Sequence, residues 1–331
     1  MSKKILITRI IPSLAYEMLT KAGFEVSVWE GDGPMSQPEL IERAKKVDAV
    51  LSLGADKLDE YFFSQCSHLN IVAQFAVGYD NIDVPAATKR DIPVSNTPDV
   101  LSDATADIAF GLMIAVSRKF FYLHKTIERG EWKQFEPLKN LGLELSGKTL
   151  GIFGMGRIGM VMAQRCKGAY NMNVLYHNRS RNAEAEKQLG ATWVSFEELL
   201  QQSDVLSVHS VLSKETTGLF NKEAFSKMKK SAIFINTARG PVHNEEDLIA
   251  ALNTGTIWGA GLDVTNPEPM HADNLLLSMP NVAVLPHIGS GTVEARNGMA
   301  RLAAVNIIEF YKSGKVPNCV NREIGGNAAI Q

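Results

Sequence analysis

Short runs of apolar residues alternate along the first part of the chain with segments in which apolar residues recur every three or four positions. The runs predict strands, and the periodic segments between them predict helices. The predicted strands span residues 3–9, 24–29, 49–53 and 70–75. This repetition indicates a parallel sheet, because two parallel strands need a crossover segment between them.

A second series of strands and helices begins at Lys148. Its predicted strands span residues 149–153, 173–177, 204–208, 232–236, 258–264 and 282–285. A helix from Ser102 to about Phe121 precedes the series, and a last helix covers about 291–313. Residues 122–147 mix aromatic, proline and glycine residues, which predicts a partly helical arm outside the core.

The two series predict an α/β protein with two domains and a cleft between them. Residues 101–290 are expected to form a doubly wound parallel sheet of the Rossmann type, and the other domain a flavodoxin-like α/β sheet. Only a short tail follows the last helix, so we expect this helix to pack back on the first sheet. The first domain is then discontinuous and comprises residues 1–100 and 291–331.

Composition narrows the class of protein. The chain has 331 residues, of which 45% are hydrophobic and 21% charged, and a formal net charge of −2. Nothing here favours a nucleic-acid or membrane partner, and no apolar run has the length of a membrane span. Cys66, Cys166 and Cys319 are widely spaced, which indicates packing residues, no metal site and a reduced, cytoplasmic protein.

The most specific motif follows the strand at 149–153. It has the pattern Gly-x-Gly-x-x-Gly and opens a helix, the context of a dinucleotide-binding turn. Gly154 permits the tight turn, Gly156 lets a pyrophosphate approach the backbone, and Gly159 lets the helix pack close to the strand. The alternative is a glycine-rich turn without a ligand.

The segment His177–Arg181 follows the next strand and has no acidic residue. NAD-binding units carry an acid near this place, which accepts a hydrogen bond from the ribose 2′-hydroxyl. Asn178 in its place removes the repulsion of a 2′-phosphate, and Arg179, Ser180 and Arg181 can donate hydrogen bonds to it. We therefore expect NADP(H) to be preferred and NAD(H) to be possible. The alternative is a solvated basic loop.

Three later motifs follow predicted strand ends, where open α/β sheets bind ligands. These motifs are Ile235–Gly240, Gly261–Pro269 and Leu285–Ser290. They contain Arg239, Glu268 and His287, so a guanidinium, a carboxylate and an imidazole follow the cofactor motif. Taken singly, these side chains could be a surface cation, a loop acid and a helix cap.

With these motifs the chain resembles the D-isomer-specific 2-hydroxyacid dehydrogenase family over nearly its whole length. Val77–Asp83 and Asn96–Asp107 match as well. The basic segment and the Asn-Thr-Pro sequence resemble the glyoxylate and hydroxypyruvate reductases of this family. The resemblance implies reduction of a small 2-oxo acid to the 2-hydroxy acid by hydride transfer from NADPH. It also implies a homodimer, in which the arm with Trp132 and Phe135 is the expected contact.

The resemblance implies a role for each site residue. His287 protonates the substrate carbonyl oxygen, Arg239 binds the substrate carboxylate, and Glu268 pairs with His287 and keeps it protonated. Val77 and Gly78 offer backbone N–H groups to the carboxylate. The residues expected at the substrate are Leu53, Val77, Gly78, Arg239 and His287.

The resemblance also places residues of the second domain at the cofactor, with Thr105 and Asp263 at its nicotinamide half. The residues expected at the cofactor are Thr105, Gly154, Gly156, Arg157, Ile158, Gly159, Asn178, Arg179, Ser180, Arg181, Thr237, Ala238, Asp263 and Gly289. No residue is expected to bind a metal ion.

Other functions stay open at this point. A short phosphoglycerate dehydrogenase would share these motifs, whereas a formate dehydrogenase would carry Gln in place of Glu268. A nucleotide-sensing binding protein, similar to the corepressors that share this fold, would bind the cofactor with weak turnover. Neither the physiological 2-oxo acid nor the direction of the reaction follows from the sequence, since one small group at C3 changes binding by only about 1–3 kcal/mol.

The cofactor interpretation predicts that kcat/KM with NADPH exceeds kcat/KM with NADH, because the basic segment can bind the 2′-phosphate. Replacing Arg179 and Arg181 with Ala should weaken NADPH binding far more than NADH binding. Steady-state kinetics with both cofactors checks this prediction. Equal values, or a preference for NADH, would overturn it.

Overall fold

The computed structural model describes residues 2–324, and the chain divides into two compact units. The first unit comprises Met1–Leu101 and Gly291–Gln331, and the second comprises Ser102–Ser290. Residues 1 and 325–331, which the predicted first domain included, lie outside the described residues.

Strands and helices alternate through most of the described chain. The strands are β1 (Lys4–Ile7), β2 (Glu25–Val28), β3 (Ala49–Ser52), β4 (Ile71–Gln74), β5 (Val94–Ser95), β6 (Thr149–Phe153), β7 (Asn173–His177), β8 (Thr192–Trp193), β9 (Val205–Val208), β10 (Ile233–Asn236), β11 (Gly259–Leu262) and β12 (Val282–Val284). The helices are α1 (Leu14–Lys21), α2 (Gln37–Ala44), α3 (Glu60–Gln65), α4 (Val84–Thr88), α5 (Ser102–Ser117), α6 (Phe120–Glu128), α7 (Arg157–Tyr170), α8 (Ala183–Leu189), α9 (Phe196–Gln202), α10 (Lys222–Ser226), α11 (Glu245–Asn253) and α12 (Val293–Ser313). Short 3-10 turns cover Gly240–Val242 and Leu275–Ser278.

Each unit contains one parallel sheet. The strand order is β2-β1-β3-β4-β5 in the first unit and β12-β11-β10-β9-β6-β7-β8 in the second. Every adjacent pair of strands is parallel. In the second sheet the chain starts at β6, adds strands on one side and then returns to add strands on the other side. This is the doubly wound order, so the predicted α/β fold class is confirmed.

The core of the first unit lies on both faces of its sheet. The strands β3 and β4 are buried at every position, as expected of a parallel sheet covered on both faces. The helix α12 packs against α1 and β4 and buries Ala303, Ile307 and Phe310.

The segment after α12 is fixed to the edge of the first sheet. Cys319 forms an antiparallel bridge with Ser95. The buried Asn321 accepts a hydrogen bond from the N–H of Val94 at 2.8 Å and donates to the carbonyl of Ile92 and the hydroxyl of Thr88, both at 3.0 Å. One amide side chain thereby satisfies backbone groups that the edge strand leaves unpaired.

The structure corrects two sequence predictions. The helix predicted from Ser102 to about Phe121 is two helices, because Lys119 adopts a left-handed conformation with φ 57° between α5 and α6. The apolar pattern continues across this break and does not reveal it. The strands β5 and β8 were not predicted, because two residues are too few to show a periodicity. Residues 129–148 contain no helix or strand, in agreement with a partly helical arm.

Within residues 2–324, no helix combines the length and the apolar character that a membrane span needs. The cysteines are free, and burial raises the pKa of Cys66 to about 11 and that of Cys166 to about 12. Both are buried among apolar side chains, which supports their prediction as packing residues.

Candidate active site

Arg239, Glu268 and His287 follow three strands that are neighbours in the second sheet. β10 pairs with β11 and β11 pairs with β12, all in parallel register. The carboxyl ends of these strands therefore lie at one edge of the sheet, and so do the loops that carry the three side chains.

The imidazole of His287 and the carboxylate of Glu268 form a close pair, with 2.5 Å between Nδ1 and Oε1. The second oxygen of Glu268 accepts the N–H of Thr265 at 3.4 Å. Burial raises the pKa of Glu268, but the hydrogen bond and charge of His287, together with the charge of Arg239, bring this pKa below its usual range. Since Nδ1 faces the carboxylate, Nε2 is the nitrogen that remains to exchange a proton with a ligand.

The turn that carries His287 is held by a buried carboxylate. His287 has a left-handed backbone with φ 53°, and Asp263 accepts the next two N–H groups, those of Ile288 at 2.8 Å and Gly289 at 2.7 Å. Thr105 donates to the carbonyl of Gly289 at 3.1 Å. Asp263 and Thr105 were expected to contact the nicotinamide half of the cofactor. The structure shows them bonded to the backbone that follows His287.

Burial raises the pKa of Asp263, while the two backbone N–H groups act in the opposite direction. Asp263 is only 1% exposed and Gly289 is buried, so loss of the bond between them would leave the buried N–H of Gly289 unsatisfied. Asp263 is therefore an anchor of the turn that positions His287.

The loop that carries Arg239 is held by the last residue of β10. The side chain of Asn236 accepts the N–H of Ala238 and donates to the carbonyl of Arg239, both at 2.9 Å. It also lies 3.1 Å from Nδ1 of His243, whose pKa is lowered by burial to about 4. A neutral His243 can accept this bond, so Asn236 keeps a fixed orientation under the Arg239 loop.

The loops after β10 and β11 are in direct contact at Gly240. A Cβ atom at this position would lie 1.9 Å from the carbonyl oxygen of Thr265. Only glycine lets the two loops approach so closely, and this approach brings the Arg239 loop to the segment that leads into Glu268.

Thr237 and Ala238, both expected at the cofactor, are nearly buried in the same loop. The hydroxyl of Thr237 lies 3.4 Å from Nδ1 of His209, and Nε2 of His209 lies 2.8 Å from the hydroxyl of Ser207. Burial lowers the pKa of His209 to about 3, so this histidine is neutral and bridges the ends of β9 and β10. His209 therefore acts as a structural link between these two strand ends.

The glycine motif forms the turn between β6 and α7. Gly154 has φ 99°, and a Cβ atom there would lie 2.7 Å from the backbone nitrogen of Ser210. Gly156 is the N-cap of α7, and the following residues, Arg157 and Ile158, begin the helix. The first N–H groups of a helix have no partner within it, so this end can hold the pyrophosphate of a dinucleotide.

Asn178 is bonded to the glycine turn. Its side chain accepts the N–H of Met155 at 2.6 Å and donates to the carbonyl of Met155 at 3.3 Å. Asn182 donates to the same carbonyl at 2.9 Å. The sequence suggested that Asn178 replaces a ribose-binding acid, whereas the structure adds that it shapes the turn that would meet the pyrophosphate.

The three residues expected at a 2′-phosphate are exposed but differ in their partners. Arg181 forms a bidentate pair with Glu186, with distances of 2.9 and 2.8 Å, and Tyr176 donates to the same carboxylate. Arg179 and Ser180 lie on the surface after β7. An incoming phosphate would therefore have to compete with Glu186 for Arg181.

The remaining predicted substrate residues lie in the first unit. Leu53 follows β3, and Val77 and Gly78 follow β4. β3 and β4 are adjacent and parallel, so their following loops lie at one edge of the first sheet. Within residues 2–324 no cluster of three or more His, Cys, Asp or Glu side chains is arranged to hold a metal ion.

Sequence reasoning predicted a set of reactive side chains but missed the residues that hold their loops. Asn236 and the structural role of Asp263 were not recognised, although both lie inside motifs that were. The only available signal was an amide or acid directly at the end of an apolar strand, a position where side chains often bond to the following backbone.

Comparison with known proteins is consistent with this geometry. The family model described as "D-isomer specific 2-hydroxyacid dehydrogenase, NAD binding domain" matches residues 110–289. The chain belongs to this family. The resemblance inferred from the motifs is confirmed, and the protein is a D-2-hydroxyacid dehydrogenase with a domain for a nicotinamide cofactor.

Several relatives of this D-2-hydroxyacid dehydrogenase have been named or solved. Glyoxylate reductases from Thermococcus litoralis and Pyrococcus furiosus are each 46% identical to it, over 98% of this chain and 98% and 97% of theirs. The structure of a glyoxylate reductase from Paecilomyes thermophila is 33% identical and has a TM-score of 0.87, covering 97% of this chain and 99% of its own. An NADPH-dependent glyoxylate/hydroxypyruvate reductase from Sinorhizobium meliloti, solved with NADP and malonate, is 31% identical with a TM-score of 0.85 and full coverage of both chains, 100% each.

The pairing of Glu268 with His287 predicts a pH effect. Glu268→Gln keeps the size of the side chain but removes the charge that stabilises a protonated imidazole. We expect the alkaline limb of the pH profile of kcat/KM for 2-oxo acid reduction to move to lower pH. At neutral pH, kcat/KM should fall below the wild-type value, because a smaller fraction of the enzyme holds the proton that is transferred to the substrate.

This profile should be measured beside that of Glu246→Gln, which removes an exposed carboxylate from the first turn of α11. The control variant should keep the wild-type profile. A Glu268→Gln enzyme with an unshifted alkaline limb would show that the carboxylate does not control the protonation of His287.

Proposed function

We propose that this dehydrogenase reduces glyoxylate or hydroxypyruvate to the corresponding 2-hydroxy acid with NADPH as hydride donor. The observation that carries the proposal is the His287–Glu268 pair, held at the same sheet edge as the Arg239 loop. This arrangement offers a proton donor and a guanidinium for a substrate with a carbonyl and a carboxylate. The names of the relatives support the choice of 2-oxo acid.

His287 acts as the general acid in this proposal. When hydride reaches C2 of the substrate, negative charge develops on the carbonyl oxygen, and Nε2 transfers its proton to that oxygen. Glu268 stabilises the protonated imidazole before the transfer. The imidazole regains its proton from water, so that one hydride and one proton convert the 2-oxo acid to the 2-hydroxy acid.

Arg239 binds the substrate carboxylate and polarises the carbonyl. A guanidinium presents a planar fork of donors that matches a carboxylate, which a lysine ammonium cannot reproduce. Its loop is fixed on both sides, by Asn236 and by the contact of Gly240 with Thr265. Leu53 and the N–H groups of Val77 and Gly78 complete the proposed set of substrate contacts.

The residues at the β6–α7 turn suit a dinucleotide. Gly156 and Arg157 are exposed at the N-terminus of α7, and the space where a Cβ of Gly156 would lie is open to 4 Å. NADPH supplies the hydride when it is bound there. Thr237 and Ala238 lie in the loop after β10 and Gly289 lies in the loop after β12, and these residues complete the proposed cofactor contacts.

The preference for NADPH is proposed from the surface after β7. Asn178 is neutral and bonded to Met155, so no carboxylate at this position repels a 2′-phosphate. Arg179 and Ser180 are exposed and can reach a phosphate without breaking the Arg181–Glu186 pair. We therefore assign more of the preference to Arg179 than to Arg181.

We also propose a homodimer in which a second copy covers the arm at 122–147. The helix α6 contains no buried residue, and the loop after it exposes several large apolar side chains. The most exposed of these are Trp132 (70%), Phe135 (85%) and Leu138 (88%). Contiguous apolar surface of this kind is typical of protein interfaces.

His287→Ala should lower kcat for glyoxylate by about 10²–10⁴-fold, because general acid catalysis contributes a factor of this size. The affinity for NADPH should stay nearly unchanged. Stopped-flow turnover and a fluorescence titration with NADPH measure the two quantities. His271→Ala, which removes an exposed loop imidazole, is the matched control and should keep the wild-type kcat.

A mild effect of His287→Ala on kcat would refute its assignment as the acid. A wild-type enzyme that binds NADPH but reduces neither glyoxylate nor hydroxypyruvate would refute the proposed substrates.

The dimer predicts that light scattering gives a mass of twice the 36.2 kDa chain. The double substitution Phe135→Glu and Leu138→Glu should shift the protein to the monomer, because burying two carboxylates in an apolar interface is unfavourable. Tyr61→Glu introduces a charge at an exposed ring on α3, outside the arm, and should leave the mass unchanged. A double variant that stays dimeric would place the interface elsewhere.

A further inference from the structure

We propose that Asn96 is a positioning residue that aims the N–H group of Gly78 at the substrate carboxylate, and that Gln74 holds the following peptide of the same loop. The proposal deepens the proposed function and rests on it. It concerns the loop after β4 in the first unit, where side-chain amides bond to the carbonyl groups of consecutive residues.

Three consecutive carbonyl groups of this loop are fixed. The carbonyl of Ala76 accepts the N–H of Thr97 at 2.9 Å. The carbonyl of Val77 accepts the side-chain amide of Asn96 at 2.8 Å, and the carbonyl of Gly78 accepts the side-chain amide of Gln74 at 3.4 Å. The loop therefore has no freedom to rotate its peptide planes without breaking hydrogen bonds.

A hydrogen bond to the carbonyl group of a peptide unit also fixes the direction of the N–H group in that unit. A trans peptide is planar, and its C=O and N–H point to opposite sides. Fixing the carbonyl of Ala76 thus fixes the N–H of Val77, and fixing the carbonyl of Val77 fixes the N–H of Gly78. Within residues 2–324, these two N–H groups have no protein acceptor, so they face away from the network that holds their carbonyls.

Two adjacent N–H groups with a fixed direction and no protein acceptor can both donate to one anion. Val77 and Gly78 are half-buried, so a carboxylate bound there would be partly removed from water and its hydrogen bonds strengthened. A flexible loop would have to be ordered on binding, whereas this loop is ordered in advance.

Asn96 is itself held between α12 and the segment that follows it. Its N–H donates to the carbonyl of Asn318 at 3.2 Å, and its carbonyl accepts the side-chain amide of Asn306 at 3.0 Å. Asn306 is fully buried and accepts both the N–H and the side-chain amide of Asn318. The backbone of Asn96 is therefore held on both sides, and its side chain reaches the carbonyl of Val77 from this fixed backbone.

Gln74 connects the loop after β4 to the loop after β3. This buried amide accepts the hydroxyl of Ser52 at 2.6 Å and donates to Asn81 at 2.9 Å. Asn81 in turn donates to the carbonyl of Leu53 at 3.1 Å and that of Asp56 at 2.9 Å. The network thus holds the proposed substrate residue Leu53 as well as Val77 and Gly78.

The test compares Asn96→Asp with the wild type. Aspartate has the same size as asparagine, but an ionised carboxylate cannot donate to the carbonyl of Val77 and repels it. We expect the Kd of oxalate, a dicarboxylate that cannot be reduced, to rise about tenfold in calorimetric titration of the NADPH-loaded enzyme, the loss typical of one hydrogen bond to a charged group. The KM of glyoxylate should rise similarly, while kcat changes less and the Kd of NADPH stays constant.

Asn321→Ala is the matched control, since it removes a buried amide with three hydrogen bonds from the same unit but outside the loop after β4. It should lower the melting temperature and leave the Kd of oxalate unchanged. If Asn321→Ala raises the Kd of oxalate as much as Asn96→Asp, Asn96 has only a structural role and the proposal fails. A wild-type enzyme that binds oxalate no more tightly than Asn96→Asp also overturns it.

The proposed function and the proposed positioning role of Asn96 can fail separately. A wild type that reduces glyoxylate while Asn96→Asp keeps the same KM preserves the proposed function and refutes the positioning role. A wild type that reduces neither 2-oxo acid, but binds oxalate in a manner that depends on Asn96, refutes the proposed substrates and supports the positioning role.

Discussion

Backbone N–H and C=O groups at the ends of parallel strands lose their sheet partners, and the rest of this structure depends on how they are satisfied. Several loops that carry proposed site residues are held by a polar side chain at or near a strand end. Asn236 bonds to the Arg239 loop, Asp263 bonds to the turn after His287, and Asn178 bonds to the glycine turn. The first unit uses amides in the same way after β4. The side chains that satisfy these backbone groups therefore also position the loops.

This arrangement separates the reactive side chains from the groups that hold them. The His287–Glu268 pair is nearly half exposed, so it can exchange protons with a ligand and with water. Asp263, by contrast, is buried and uses both oxygens on the backbone. A side chain that changes its charge during a reaction cannot also be the support of its own loop without moving it. Because the exposed His287–Glu268 pair is separate from the buried Asp263, the protonation of the pair can change while the backbone of the turn stays in place.

Much of the fold was predictable from the sequence, because the longer strands are apolar runs and the helices between them have a clear period. The two-residue strands β5 and β8 and the break at Lys119 were not, since a local pattern carries no signal for them. In the site, Arg239, Glu268 and His287 were found as polar residues after predicted strands, and their roles remain predictions. Their anchors were missed because an asparagine such as Asn236 has the same appearance in sequence whether it caps a turn or faces water. Its role depends on burial and on partners that only the folded chain supplies.

Magnitudes indicate which of these interactions gives the site its rigidity. An exposed ion pair contributes about 0–1 kcal/mol, because water solvates and screens both charges. A buried N–H or C=O group left without a partner costs about 1–3 kcal/mol, and Asp263 and Asn236 each satisfy one buried N–H, that of Gly289 and that of Ala238, beside a second backbone group. The hydrogen bonds of Asp263 and Asn236 therefore stabilise the loops more than the His287–Glu268 pair does. The pair is nevertheless the part of the site with the proposed catalytic role. The loops of the proposed site are therefore held by side chains other than the pair that is proposed to exchange the proton.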